Sequence, residues 1–181
     1  MVIFSQEPEI SCWRTWMFNL YCTKKLLDRI KPTVQAPGLS TTRLGAWYAT
    51  ALFWKPQMAL LVNERTLLPV LVPLAPAATL AQRMPVALKE VLRSIGVPAD
   101  FIESEISGMT DVVYAKTANR SVVGVMNEFA FLAEGYRDLE EAVDPLALSL
   151  KLAGTPCGPL YKGAVFPDKA VMELVGGGLI H

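Results

Sequence analysis

Residues 18–22, FNLYC, form a short apolar run suited to a strand, and the residues after it change period. Thr23 stands where a helix cap belongs, and KKLLDRI then sets Leu26, Leu27 and Ile30 on one helical face. Two prolines, a glycine and a run of hydroxyls make KPTVQAPGLSTTR at 31–43 a loop, the kind of segment that borders sites. From Leu44 to Leu74 three apolar runs follow, LGAWYATALFW, MALLVNE and LLPVLVPL. Turn signals at Lys55-Pro56-Gln57 and at Asn63 to Thr66 divide them, which predicts a three-stranded meander. Trp47, Tyr48, Phe53 and Trp54 supply much of its packing area. Pro69 and Pro73 withhold N–H donors, so the third strand belongs at an edge or is interrupted.

The period lengthens over PAATLAQRMPVALKEVLRSI at 76–95, a helical pattern with a kink or break expected before Pro85 and a stop at Gly96. Pro98 opens a second short helix, ADFIESEISGM, acidic on its exposed side and ending near Gly108. DVVYAK is β-branched and aromatic, so it reads as a further strand. Asn119 then caps a helix whose buried stripe is Val122, Met126, Phe129, Leu132 and Tyr136. The polar turn RDLEEAVDP separates it from LALSLKLAG; after the loop TPCGPLYKGAVFP, Pro167 begins a last helix, DKAVMELV, before GGGLIH frays. Strands clustered early with helices mostly following give an α+β expectation: a largely antiparallel sheet with helices packed mainly on one face.

One domain is expected over residues 17–181, since MFNLYCTKKLLDRI leads directly from strand to helix. Residues 1–16 join no pattern; they do not read as a signal peptide and are expected to form an N-terminal extension outside the core. The hydrophobic fraction is high, 52%, with mean hydropathy +0.33, yet no run reaches the roughly 18 apolar residues of a membrane helix. The longest candidate, LLPVLVPLAPAATLA, is interrupted by Pro69, Pro73 and Pro76. Seventeen cationic residues balance seventeen anionic ones, which argues against the global positive field of a non-specific nucleic-acid binder. Cys12, Cys22 and Cys157 are odd in number and contain no C-x-x-C pair, so they are expected to be reduced thiols acting as small hydrophobes in a cytoplasmic protein.

The only histidine is His181, the last residue, which leaves no internal base for a Ser-His-Asp or Cys-His arrangement and no histidine metal ligand. Neither a dinucleotide fingerprint nor a P-loop occurs, and no cofactor is implied. What remains is AKTANRSVVGVMNE at 115–128. With Asn119 as cap, the first-turn N–H groups and the helix dipole favour an anion, and Lys116 and Arg120 add formal charge beside Thr117 and Ser121. Arg120 and Asn127 lie seven residues apart, on nearly one line of the helix, with Gly124 between them. An interior helical glycine costs about 1 kcal/mol relative to alanine, so it implies either close packing or room for a ligand.

The junction YCTKKLL at 21–27 repeats the combination of hydroxyl cap and cations; Lys24 and Lys25 would join Lys116 and Arg120 if the two junctions meet at one sheet end. Asn63, Glu64, Arg65 and Thr66 form a third polar group, whose simplest role is a hairpin turn. Glu64 and Glu128 are the available bases, neither with a partner carboxylate at diagnostic spacing.

CTKKLL at 22–27, LGAWYA at 44–49, NERTLLP at 63–69 and KTANRSVVGVMNEFAFL at 116–132 together resemble an uncharacterised bacterial family of unknown function. The family pattern has Asp, Asn and Asp where this chain has Ala46, Thr50 and Glu128. The resemblance implies a domain beginning near Met17 and treats the four motifs as one surface; it supplies no activity. The expected function is therefore binding of a phosphate-bearing anion, a nucleotide or short RNA, at the strand-to-helix junctions. Two alternatives stand beside it. One is a protein-interaction module with the aromatic sheet as contact face, for instance an accessory of a defence or toxin–antitoxin type system. The other is an enzyme using a glutamate base. No membrane partner is expected.

Overall fold

Two six-residue runs, WYATAL and MALLVN, are buried at every position, and strands of that kind need cover on both faces. The computed structural model describes residues 16–139 and 142–177. Its elements in chain order are β1 (Met17–Cys22), α1 (Lys24–Ile30), β2 (Trp47–Leu52), β3 (Met58–Asn63), β4 (Pro69–Pro73), α2 (Leu80–Ser94), α3 (Ala99–Ser107), β5 (Asp111–Lys116), α4 (Arg120–Arg137), α5 (Pro145–Ala153) and α6 (Pro167–Gly177). The five strands form one open sheet in the order β4-β3-β2-β1-β5. β2, β3 and β4 are the antiparallel meander expected from the sequence, while β1 runs parallel to both β2 and β5.

The expectation of helices mainly on one face is corrected. Alternation along β2 sends Trp47, Ala49 and Ala51 into a core shared with Leu26 of α1, Met84 and Leu88 of α2, and Phe101 of α3. Tyr48 and Leu52 point the other way, into a second core built on Val122, Met126 and Phe129 of α4. The 18-residue α4 thus covers the face that a one-sided layer would leave to water. The signal was in the strands: WYATAL and MALLVN lack the polar alternation of a half-exposed sheet.

Three local expectations also change. Helix α2 runs through Pro85 unbroken, because its buried residues Leu80, Met84, Leu88 and Val91 continue one apolar face across the proline. Glu105 is not on the exposed side of α3 but fully buried, its carboxylate accepting the backbone N–H groups of Arg43 at 2.7 Å and Leu44 at 3.1 Å. Thr23 precedes α1 but its hydroxyl pairs with that of Thr50 at 3.0 Å instead of capping the helix.

β4 is the edge strand its prolines predicted, and the edge is closed. Backbone groups alternate sides, so Pro69, Leu71 and Pro73 share the outward side, where the prolines have no N–H and Leu71 donates to Ser149 Oγ at 2.8 Å. The Pro73 carbonyl is taken by the Arg83 guanidinium. The loop at 31–43 does not hang free. It bridges to Tyr114 on the β5 edge at Val34, and Asn19 then holds Gly38 and Ser40 against β1.

Candidate functional site at the strand-to-helix junctions

Because β1 and β5 are adjacent and parallel, with Cys22 paired to Lys116, both junctions leave the same end of the sheet side by side. α1 then packs into the first core and α4 into the second, so the chain departs to opposite faces from neighbouring strands. In open α/β sheets, ligands bind beyond the carboxyl ends of strands whose connections part in this way.

The residues singled out from the sequence stand as follows. Lys116 and Arg120 are exposed and Thr117 is half-buried at the β5–α4 turn. Lys25 is exposed on the first turn of α1, and Lys24 beside it is engaged by Asp28 at 2.7 Å, an exposed pair of little energetic weight. Asn119 is the helix cap: its side-chain oxygen accepts Ser121 N at 3.0 Å and Val122 N at 3.4 Å. These are two of the N–H groups that an anion would otherwise use, so contacts at this junction fall to side chains and not to a backbone cradle. Ser121, Gly124 and Asn127 are exposed, and a Cβ built on Gly124 meets nothing within 4 Å. Close packing therefore does not explain this glycine; it leaves open space on the Arg120–Asn127 line.

The third polar group is joined to the first through one phenol. Asn119 N donates to Tyr48 Oη at 3.1 Å, and that hydroxyl lies 3.4 Å from Glu64 Oε1, to which it donates. Tyr21 stacks on Tyr48 with ring centroids 4.8 Å apart. Burial first, then the Glu64 charge, pushes the Tyr21 phenol up; burial also outweighs the Asn119 bond in raising Tyr48, so both remain protonated donors at neutral pH. The sequence reading did not foresee this link, since Tyr48 and Asn119 are 71 residues apart.

Asn63 explains why LGAWYA and NERTLLP belong together. Fully buried, it donates to the carbonyls of Leu44 and Ala46 and accepts from Arg65 N, Thr66 N and the Thr66 hydroxyl. The hairpin reading of this group is thus right in kind, and the turn also pins the chain leading into β2. Gly45 enters that strand at φ +78°, a left-handed conformation that glycine adopts without strain. The four motifs accordingly make two groups, joined through the Tyr48 hydroxyl.

Other chemistries find less here. Cys22 and Cys157 are buried, and burial pushes their thiols up to about 12 and about 11, which removes them as nucleophiles near neutral pH. Cys12 and His181 lie outside the described residues. Among the described residues no group of three or more His, Cys, Asp or Glu side chains could hold a metal ion. No described helix is long and apolar enough to cross a membrane. Trp47 and Trp54 lie in opposite cores, as their odd spacing requires, but both are buried, at 0% and 7% exposure; of the four aromatics Trp47, Tyr48, Phe53 and Trp54, only Phe53 is exposed. Glu128 is exposed on the outside of α4, away from the Glu64–Tyr48 pair.

The family model for a domain of unknown function, DUF6933, matches residues 19–170. The chain belongs to that family. All four motifs fall inside the DUF6933 match, including both junctions and the Asn63 turn. No curated protein and no solved structure matches the chain.

Proposed function

We propose that the protein binds a phosphate-bearing anion, a nucleotide or short RNA, on the surface where the β1–α1 and β5–α4 junctions emerge together. The observation that carries this reading is the register of Cys22 against Lys116 in the parallel β1–β5 ladder, which brings two cation-bearing turns to one sheet end. Lys116 and Arg120 contact the phosphate, Lys25 adds charge from the other junction, Lys24 divides its charge with Asp28, and the Ser121 hydroxyl and Asn127 amide orient the ligand along α4. Asn119 serves the site by holding α4 in place; its side chain is spent on the cap. The exposure of the cations favours an extended anion such as a short RNA segment, whose binding weakens steeply with salt as counterions are retained.

The test is thermal stability and direct titration of the protein against nucleotides, phosphosugars and short single-stranded RNAs at two ionic strengths, alongside Arg120→Ala. A rise in melting temperature that is lost in Arg120→Ala and at high salt supports the reading. Binding that ignores both overturns it.

A protein-contact role remains the second reading, but its surface moves from the sheet to the outer side of α4. Phe131 is 77% exposed there, beside Asn127, Glu128 and Leu132 in a shallow hollow.

A further inference from the structure

Where β2 begins and β3 ends, the turn after Asn63 faces the loop before α6 across a cavity of about 800 Å³. That volume lies within the roughly 300–1,000 Å³ of small-molecule sites. Three cations, Arg43, Arg65 and Lys162, line it against one carboxylate, Glu173, while Leu160 and Leu174 give it an apolar wall.

The two arginines are held in place by the fold. Arg65 Nη1 donates to the Arg43 carbonyl at 2.8 Å, which fixes one guanidinium and leaves its remaining donors unassigned by that bond. The Arg43 guanidinium lies over the Phe101 ring at 4.4 Å, which holds this side chain against the fold. Beneath them Glu105 grips the backbone N–H groups of Arg43 and Leu44. This placement works against local preference: a carboxylate in the last turn of α3 faces the negative end of the helix dipole and is fully buried. The segment it holds is the one that carries Arg43.

Backbone strain marks the same cavity. Of three described non-glycine residues with positive φ, two adjoin its lining: Leu67 at 58°, next to Thr66, and Val165 at 64°, next to Ala164. A β-branched residue in that region is a genuine outlier, and conformations of this kind gather at ligand sites.

We infer that this cavity is a second ligand site, lined by none of the junction residues, which takes a small organic anion with its carboxylate or phosphate head between Arg43, Arg65 and Lys162 and its apolar body against Leu160 and Leu174. Two preorganised guanidiniums suit the paired oxygens of either head group. Glu105 is a positioning residue for this site, acting through Arg43.

The test is calorimetric titration of the whole protein with phenyl phosphate, benzoate, inorganic phosphate and uncharged phenol. The expected result is binding of phenyl phosphate or benzoate that is tighter than inorganic phosphate and absent with phenol. It should weaken at least about tenfold in both Arg65→Met and Lys162→Glu. Lys162 is exposed, so its reversal tests the site even if Arg65→Met perturbs folding. Which of the two aromatic anions binds identifies the head group. No binding of either up to about 10 mM, equal binding of phenol, or indifference to Lys162→Glu would overturn the inference.

Discussion

Leu71 on the sheet edge and Ser149 on α5, 78 residues apart in the chain, are joined by a backbone N–H to hydroxyl bond of 2.8 Å. The same hydroxyl donates to the Pro145 carbonyl at 2.6 Å, so one buried serine closes the single open donor position between Pro69 and Pro73. Ser149→Ala leaves that N–H buried without a partner. It should cost about 1–3 kcal/mol in urea denaturation, with no change in the midpoint of an Arg120→Ala control relative to the native protein. A loss below the error of the fit would mean that water replaces the serine and that the edge is not sealed by it.

Asn119 and Arg120 are neighbours with opposite expected profiles. Asn119→Ala removes the cap of α4 and should lose about 0.5–2 kcal/mol of stability. Arg120→Ala is an exposed change and should stay within about 0.5 kcal/mol while weakening anion binding. Asn119→Asp separates the two roles most sharply, because it keeps the acceptor and complements the helix dipole but places negative charge where the ligand's phosphate sits. Stability held or raised with affinity lowered is the expected pair of readings from melting and titration.

How much of this was legible in the sequence depended on how far apart the interacting residues lie. Asn119 and its two N–H partners fall within three residues, and the β2–β3–β4 meander closes through short turns, so both could be read directly. Glu105 was misread because the groups that justify its burial, the Arg43 and Leu44 N–H donors, lie 62 and 61 residues away. Helical period sets Glu105 on the face of Phe101 and Ile102; only its charge argued for the surface. The β1–β5 pairing has the same character: nothing local in FNLYC or DVVYAK says that they are neighbours, although the guess that their junctions share one end follows once they are. The second helical layer was legible in principle, since strands buried along their whole length have no exposed face. The cavity at Arg43 and Lys162 was not, because its walls come from the loop before β2, the β3–β4 turn and the chain on either side of the start of α6.

Glu105 also sets a pH dependence. Burial dominates and raises its carboxyl above the ordinary glutamate range, with the Arg43 and Leu44 bonds only partly opposing it. The native state therefore takes up this proton before the unfolded chain does. From neutral pH, the contribution of Glu105 to stability should rise as pH falls through the native pKa toward the unfolded value near 4.5, then level off. Glu105→Gln should lack that component, so the difference in unfolding free energy between it and the native protein should change across the window in urea titrations. Glu105→Leu strips the acceptors from both N–H groups and should cost at least about 2 kcal/mol at pH 7. Parallel pH profiles for native protein and Glu105→Gln would place the titration elsewhere.

Gly124 offers the cleanest separation of fold from function. It lies inside α4, is exposed, and an added Cβ meets nothing within 4 Å, so alanine fits without a clash and restores helix propensity. Gly124→Ala should stabilise the protein by about 1 kcal/mol, which raises the melting temperature of a chain this size by about 2–4 °C. A surface helix gains nothing from carrying the glycine unless the space above it is used. If a ligand lies along the Arg120–Asn127 line, the methyl group intrudes on it, and the more stable variant should bind the anion less tightly. A variant that is both more stable and fully competent in binding would take Gly124 out of the site and confine the contact to Lys116 and Arg120.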